Sequence, residues 1–317
     1  MRIQSASGGH RALRIVPREG TLGIIAPASS PLKISDLEKG ISFFCERGFK
    51  VKTGTTVSVE HGYLAGNDEQ RVEALHTMFA DKGVDAVICL RGGYGSARLL
   101  DKVDFKIIRK NAKLLVGYSD ITALHMAFLA QADLPSLHGP MVAVECAKGM
   151  DQETERSLFR SLRNPYRKFS VRISAQGSDP GVHFSGIATG PLMGGNLAVL
   201  SSLVGTDYLP DFDGAILFLE ETGEPVYRID RMLNQLRLSG LLERIRGVLL
   251  GYFSDIPKQH QDRSLAEVFS DYFASLNIPV LSGFPSGHSL PNLTWLQGGI
   301  VRLNASRKVV SFTGNVA

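Results

Sequence analysis

Residues 114–124 read Leu-Leu-Val-Gly-Tyr-Ser-Asp-Ile-Thr-Ala-Leu. Four residues of strand character run towards Ser119 and Asp120, and a helical pattern of Ala123, Leu124, Ala127 and Phe128 begins at once behind them. A serine on such a strand-to-helix turn stands clear of the sheet over the positive end of a helix dipole, where an attacking hydroxyl is best placed. The usual elbow has glycine two residues to either side of the serine; here Gly117 precedes it but Ile121 follows. Taken alone, the turn serves equally as a Ser-Asp helix cap.

A serine nucleophile needs a base, and the base needs a group to orient it. Of the eight histidines, His10 lies in a weakly patterned leader, His76 and His125 sit in helical patterns, and His61, His138, His183 and His260 fall in loops. His288 stands apart. It follows the apolar strand Ile278-Pro279-Val280-Leu281 on a loop of Gly, Pro and Ser, and loops at strand ends are where a rigid scaffold presents catalytic groups. By itself a loop histidine is more often a solvated side chain. Glu220 ends an apolar strand, and a carboxylate buried there demands a partner. Glu220 and Glu221 equally suit the positive end of a helix starting near Pro225.

The loop Arg91-Gly92-Gly93-Tyr94-Gly95-Ser96 has three uses. It matches the start of a dinucleotide fingerprint, although Arg98 holds the third glycine position. Its glycines also let a backbone N–H approach a developing oxyanion, or simply make a tight turn. There is no His-Glu-x-x-His, Cys-x-x-Cys, dense His/Asp cluster or P-loop lysine motif, so neither a metal nor another cofactor is expected.

The elements that must position these groups alternate strand and helix in the first half. Residues 21–26 form a buried strand, Ser35-x-x-Glu38 reads as a capping box, and 49–57 alternates as a strand. Asn67-x-x-Gln70 opens a second helix, 84–90 is a strand, 97–100 a short helix, and another strand ends at Gly117. Such units imply an α/β fold with a doubly wound parallel sheet, and sites outside the carboxyl ends of its strands. Polar residues dominate about 147–186, with a loop at 176–181. This divides the chain into an N-terminal doubly wound domain at 15–165 with the candidate nucleophile, a linker at 166–185, and a smaller α+β C-terminal domain at 186–317 with Glu220 and His288. In the second half, strands are expected at 215–219, 247–252, 301–303 and 309–312, the last two as a hairpin. Helices are expected from near Pro225 and over 265–276.

The 317 residues suit two domains, with ordinary hydrophobic and charged fractions of 44% and 21%. Thirty-five Lys and Arg against 31 Asp and Glu leave a net charge of +4, spread along the chain without a basic block, so no nucleic-acid partner is expected. Cys45, Cys89 and Cys146 lie far apart in apolar patterns and read as buried free thiols of a reducing compartment. No apolar run reaches membrane-span length and the start lacks a signal-peptide core, which points to the cytoplasm; the first 15 residues read as loosely ordered.

Seven segments then follow in order: Ile25-Ala26-Pro27-Ala28-Ser29, Tyr63-Leu64-Ala65-Gly66-Asn67-Asp68, Cys89-Leu90-Arg91-Gly92-Gly93-Tyr94-Gly95, Gly117-Tyr118-Ser119-Asp120-Ile121-Thr122, Gly194-Gly195-Asn196-Leu197, Leu219-Glu220-Glu221 with Tyr227-Arg228-Ile229-Asp230-Arg231-Met232-Leu233, and Gly283-Phe284-Pro285-Ser286-Gly287-His288. The ordered set, from about Leu22 to Gly314, resembles the LD-carboxypeptidase family of serine peptidases, which includes the microcin C self-immunity peptidases. The resemblance implies a triad of Ser119, His288 and Glu220, an oxyanion hole from the backbone N–H groups of Gly93 and Asp120, a site between two domains, and a homodimer. It also implies removal of the terminal D-alanine of a murein tetrapeptide, within cytoplasmic recycling of cell-wall fragments. An exopeptidase must hold its substrate's terminal carboxylate, for which Arg91, Arg228 and Arg231 are candidates. The alternative within the family is cleavage of an aminoacyl sulfamoyl-adenylate, with Trp295 as a candidate face for adenine. A non-catalytic nucleotide- or sugar-binding protein is a third reading, but it leaves the ordered coincidence of Ser119, Glu220 and His288 unexplained.

Overall fold

The computed structural model describes residues 13–174, 183–258 and 263–316. His10, His260, the loop at 176–181 and most of the first 15 residues lie outside them. The first half runs β1 (Thr21–Ile25), α1 (Ile34–Cys45), β2 (Lys50–Thr53), α2 (Asp68–Ala80), β3 (Ala86–Cys89), α3 (Phe105–Lys110), β4 (Leu114–Gly117), α4 (Thr122–Ala127) and β5 (Leu137–His138). These strands are parallel in the order β2-β1-β3-β4-β5. Strands β3 and β4 are buried at every residue, which is why they read as continuous apolar runs. The strand order reverses between β1 and β3, and the loops leaving their carboxyl ends flank the crevice this opens.

The second half adds α5 (Gln152–Arg163), β6 (Phe169–Arg172), β7 (His183–Phe184), β8 (Ile187–Asn196), α6 (Leu197–Ser202), β9 (Ile216–Thr222), α7 (Val226–Leu238), β10 (Gly247–Ser254), α8 (Leu265–Phe273), β11 (Val280–Leu281), β12 (Trp295–Leu296), β13 (Gly299–Asn304) and β14 (Val309–Val316). Its sheet has the order β6-β14-β13-β8-β9-β10-β11-β7. The centre, β8 to β11, is parallel, and the flanking strands are antiparallel. The expected hairpin is β13 and β14. Strand β12 belongs to neither expectation: it crosses back and pairs antiparallel with β5, Trp295 opposite His138.

Several local expectations change. The Ser35-Glu38 box does not form, because α1 already begins at Ile34 behind Lys33 and makes no side-chain cap. The Asn67-Gln70 box does form, with bonds of 2.8 and 2.9 Å. The strand expected over 49–57 stops at Thr53, and 97–100 is a short 3-10 turn at Ser96–Leu99. The polar stretch after 147 carries α5, capped by Asp151, and also β6, which pairs with β14. Cys89 and Cys146 are buried free thiols, but Cys45 is exposed at the end of α1.

Trp295 shows how the two sheets are joined. It is 1% exposed, stacks on His138 at 4.9 Å between centroids, and meets Phe218 of β9 edge-on at 4.9 Å. Its indole N–H donates to Ser286 Oγ at 3.1 Å, so its polar atom is satisfied. Trp295→Ala should therefore lower unfolding free energy by about 3–5 kcal/mol in urea denaturation. A loss below about 1 kcal/mol would contradict this joining role.

Candidate active site

Ser119 leaves β4 with a φ of +62°. A residue with a Cβ reaches this left-handed region at a cost of about 1–2 kcal/mol, so the surroundings must hold it there. A single 3-10 turn, Ser119–Ile121, opens directly into α4, and neither start receives a side-chain cap. The turn is thus an elbow that presents the serine, and the cap reading falls away.

The Ser119 hydroxyl meets His288 Nε2 at 3.1 Å, and His288 Nδ1 meets Glu220 Oε2 at 2.7 Å. A carboxylate only accepts, so Nδ1 carries the proton and Nε2 is left to accept from the hydroxyl. Glu220 is fully buried on β9, while the His288 side chain is 19% exposed. Burial pulls the imidazole pKa down, but the charge and hydrogen bond of Glu220, helped by Glu221 and Glu145, hold it above its ordinary 6.5. Gly287 permits the approach: at φ +122°, a Cβ there would lie 2.9 Å from Glu220 Oε2.

Glu221 is also buried, and it serves a different helix from the one expected. Its carboxylate accepts from Asn196 Nδ2 at 2.9 Å, Ala198 N–H at 2.8 Å and Thr222 N–H at 2.9 Å, which caps α6. Helix α7 starts behind Pro225 without a side-chain cap. Burial, and then the charge of Glu220, push the Glu221 carboxyl up to about 7.

The glycine loop lies against the nucleophile. A Cβ on Gly92 would stand 2.9 Å from Ser119 Oγ and 3.3 Å from Asp120 N, so only glycine fits. Ser29 fixes the loop by donating its N–H to Gly92 O at 3.3 Å and accepting from Tyr94 N–H at 3.2 Å. Asp120 is held by Ser96 N–H on Oδ2 at 2.8 Å. Gly93 and Asp120 therefore flank the same serine from two elements. A loop packed this tightly on Ser119 and Ser29 does not leave the open turn a dinucleotide needs.

Ser119, His288, Gly92 and Gly93 border a cavity of about 140 Å³ that is also lined by Arg91 and Lys148. Arg91 Nη1 donates to Ser30 O at 3.2 Å. Arg228 pairs with Glu224 at 3.0 Å and Arg231 lies over the Tyr227 ring at 5.6 Å; both are on α7, and neither lines the cavity. Sequence reasoning misses Lys148 because it sits in a stretch that reads as connection; its one signal is a cation shortly after the apolar run 141–144. A larger groove of about 1060 Å³ runs along α5 and gathers Arg47, Arg156, Arg160, Arg163, Arg167 and Lys168, so positive charge is less evenly spread than expected. No triad residue lines it.

The other histidines have different surroundings. His125 is buried between Ser136 Oγ at 2.7 Å and Gly117 O at 2.8 Å, His76 accepts from Asp104 N–H, and His183 bonds Ala305 O. His138 is on β5 rather than in a loop, buried beneath Trp295. The buried indole offers no face to a ligand. Among the described residues, no group of three or more His, Cys, Asp or Glu is arranged to hold a metal ion.

The Glu220–His288 pair has a measurable consequence. The His288 midpoint, followed by NMR, should lie above 6.5 and fall in Glu220→Gln, which removes the charge that holds it up. Because the folded value is raised, the pair's contribution to stability is complete below the unfolded value and is lost as pH rises through the folded one. The stability gap between wild type and Glu220→Gln should narrow accordingly. An unmoved midpoint would contradict the pairing.

Comparison with known proteins matches both halves. Residues 22–139 match the LD-carboxypeptidase N-terminal domain, and 189–303 match the LD-carboxypeptidase C-terminal domain. The "Probable murein peptide carboxypeptidase" of Bacillus subtilis is 36% identical, over 94% of this chain and 92% of that one. A crystal structure of muramoyltetrapeptide carboxypeptidase from Oxalobacter formigenes is 33% identical with a TM-score of 0.83, covering 92% of this chain and 97% of the other. The microcin C7 self-immunity protein of Escherichia coli is 25% identical, over 91% of this chain and 90% of that one. With both domain families matched in order along a two-sheet α/β fold, the chain belongs to the LD-carboxypeptidase family.

Proposed function

We propose that this chain is a serine-type LD-carboxypeptidase that removes the terminal D-alanine of murein tetrapeptides, cutting the bond from the D-centre of diaminopimelate. The observation that carries the reading is the Ser119–His288–Glu220 arrangement, at 3.1 and 2.7 Å, in a chain of this family. Ser119 attacks the peptide carbonyl while His288 takes its proton, and His288 then protonates the leaving amine of D-alanine. Water, activated by the same imidazole, releases the acyl group from Ser119. Glu220 holds the tautomer and stabilises the imidazolium, and the N–H groups of Gly93 and Asp120 receive the oxyanion. Arg91 and Lys148 are the cations on the cavity wall, and they bind the substrate's terminal carboxylate. Arg231, the other expected candidate, is on α7 and does not line that cavity.

On this reading 15–165 supplies the nucleophile and 186–317 the base and its carboxylate, and the segment 166–185 between them carries β6 and β7. Cytoplasmic placement and a homodimer belong to the same reading; no described helix is long and apolar enough to cross a membrane. The sulfamoyl-adenylate alternative loses its adenine platform, since Trp295 is stacked and buried.

A defined tetrapeptide ending in D-alanine should release D-alanine, and its L-alanine analogue and the pentapeptide should not. Ser119→Ala should abolish release while leaving the protein folded; release at the wild-type rate would end the nucleophile assignment. Glu220→Gln should lower turnover by about 10²-fold or more. Glu221→Gln should leave turnover within a few-fold but cost about 1–3 kcal/mol of stability, because an amide offers one acceptor to three N–H donors. Equal, small effects on turnover at both positions would remove Glu220 from the triad. Activity should survive EDTA; loss on chelation with recovery on added zinc would point to another mechanism.

A further inference from the structure

Behind the triad lies another buried carboxylate that the reaction does not use. Glu145, in the turn Val142–Cys146, is 8% exposed, and no cation pairs with it among the described residues. Burying a carboxylate without a counter-ion is costly, so its hydrogen bonds must offset the loss of water. Three groups face it. Met141 N–H donates to Oε2 at 3.0 Å, and Asn292 Nδ2 donates to Oε1 at 3.0 Å. The third is the buried Tyr118 hydroxyl, whose pKa is raised by burial and then by the charge and hydrogen bonding of Glu145.

Both far ends of this network lie next to triad residues. Tyr118 immediately precedes Ser119, and its ring stands 4.9 Å from the His288 ring. Asn292 accepts from Gly287 N–H at 3.1 Å, the residue before His288, while its own N–H donates to Thr154 Oγ1 of α5 at 2.8 Å. With Gly287 N–H as a donor and Glu145 as an acceptor, only one orientation of the Asn292 amide satisfies both. One chain thus runs from the nucleophile's neighbour, whose hydroxyl faces Glu145, through the Glu145–Asn292 hydrogen bond to the base's neighbour. It spans the same gap as the Ser119–His288 contact.

We propose that Glu145 and Asn292 are positioning residues: a buried carboxylate–amide pair that ties the His288 loop to the segment behind Ser119 and so sets the distance between base and nucleophile. This rests on the serine-peptidase reading above. Their effect is exerted through His288, not on substrate. Glu145 also faces the imidazole electrostatically, together with Glu220 and Glu221 from β9, Tyr118, the buried His138 of β5, and Arg91 and Lys148 across the cavity.

The test compares wild type, Ser119→Ala, Glu145→Gln, Asn292→Ala and Tyr118→Phe on the D-alanine-terminated tetrapeptide across pH. Asn292→Ala should lower kcat by about ten-fold with KM within about three-fold, the pattern of misplaced chemistry rather than lost binding. Glu145→Gln removes a negative charge facing His288, so the acidic limb of kcat/KM should move to lower pH by about half a unit. A merely structural role would reduce the amount of folded enzyme and scale the rate equally at every pH, without moving that limb. Where Glu145→Gln fails to fold, Tyr118→Phe decides, because it deletes one hydroxyl without changing charge: kcat should fall several-fold at constant KM. Folded variants with wild-type kcat and an unmoved limb would overturn the proposal. If Ser119→Ala is itself active, the serine reading has failed; if it is inactive while the other variants match wild type, only this inference has.

Discussion

A proton moves between Ser119 and His288 only if the two side chains touch, yet one leaves the parallel sheet of the first half and the other a loop of the second. Their 3.1 Å contact therefore depends on how the two sheets are held together. Strand β12 supplies part of that hold by leaving the second half and pairing with β5, which places Trp295 against His138 and Phe218. Thr122, in α4, adds a polar tie by accepting from Asn196 N–H at 3.1 Å, which joins the helix behind Ser119 to the strand beside Glu220. Packed apolar contacts resist sliding because a void forfeits its dispersion contacts outright. That is the property a fixed catalytic distance needs.

Three carboxylates sit close to one imidazole, and their environments differ. Glu220 is bonded to His288, Glu221 is bonded to N–H groups at the start of α6, and Glu145 is bonded to the Met141 backbone N–H and the Asn292 side-chain amide. All three raise the imidazole's affinity for a proton, against a burial that lowers it. A base that is also to act as an acid works best when its pKa lies near the working pH. At His288 burial and negative charge oppose each other, and the charge prevails. Burial, and then the charge of Glu220, push Glu221 itself up to about 7.

Much of this architecture is legible in the amino-acid sequence. Apolar runs bounded by glycine and polar caps locate β1, β3 and β4, and Asn67 with Gln70 marks the start of α2, because those signals are local. Ser119, Glu220 and His288 each stand out by residue type near a strand end. Their convergence does not follow from spacing: 169 residues separate Ser119 from His288, and only the resemblance to a family joins them. The capping box at Ser35 misleads because Ile34 has already begun the helix, and a cap motif carries no information on which turn is first. Strand β12 is invisible because two residues give no period. Glu145, Asn292 and Lys148 are silent for a related reason: a polar residue draws no attention until the fold buries it or brings it to a cavity.

Ser119 and His288 meet across the junction of two sheets, and activation of the serine by that histidine can be tested chemically. The most direct measurement uses a phosphonate analogue of the D-alanine-terminated peptide with an aryloxy leaving group on phosphorus, which Ser119 Oγ would displace as a phenol, followed by mass spectrometry of the digested protein. The account predicts one adduct per chain, on the peptide containing Ser119, forming far more slowly in His288→Ala. Labelling at another residue, or labelling of Ser119 at an unchanged rate without His288, would contradict it.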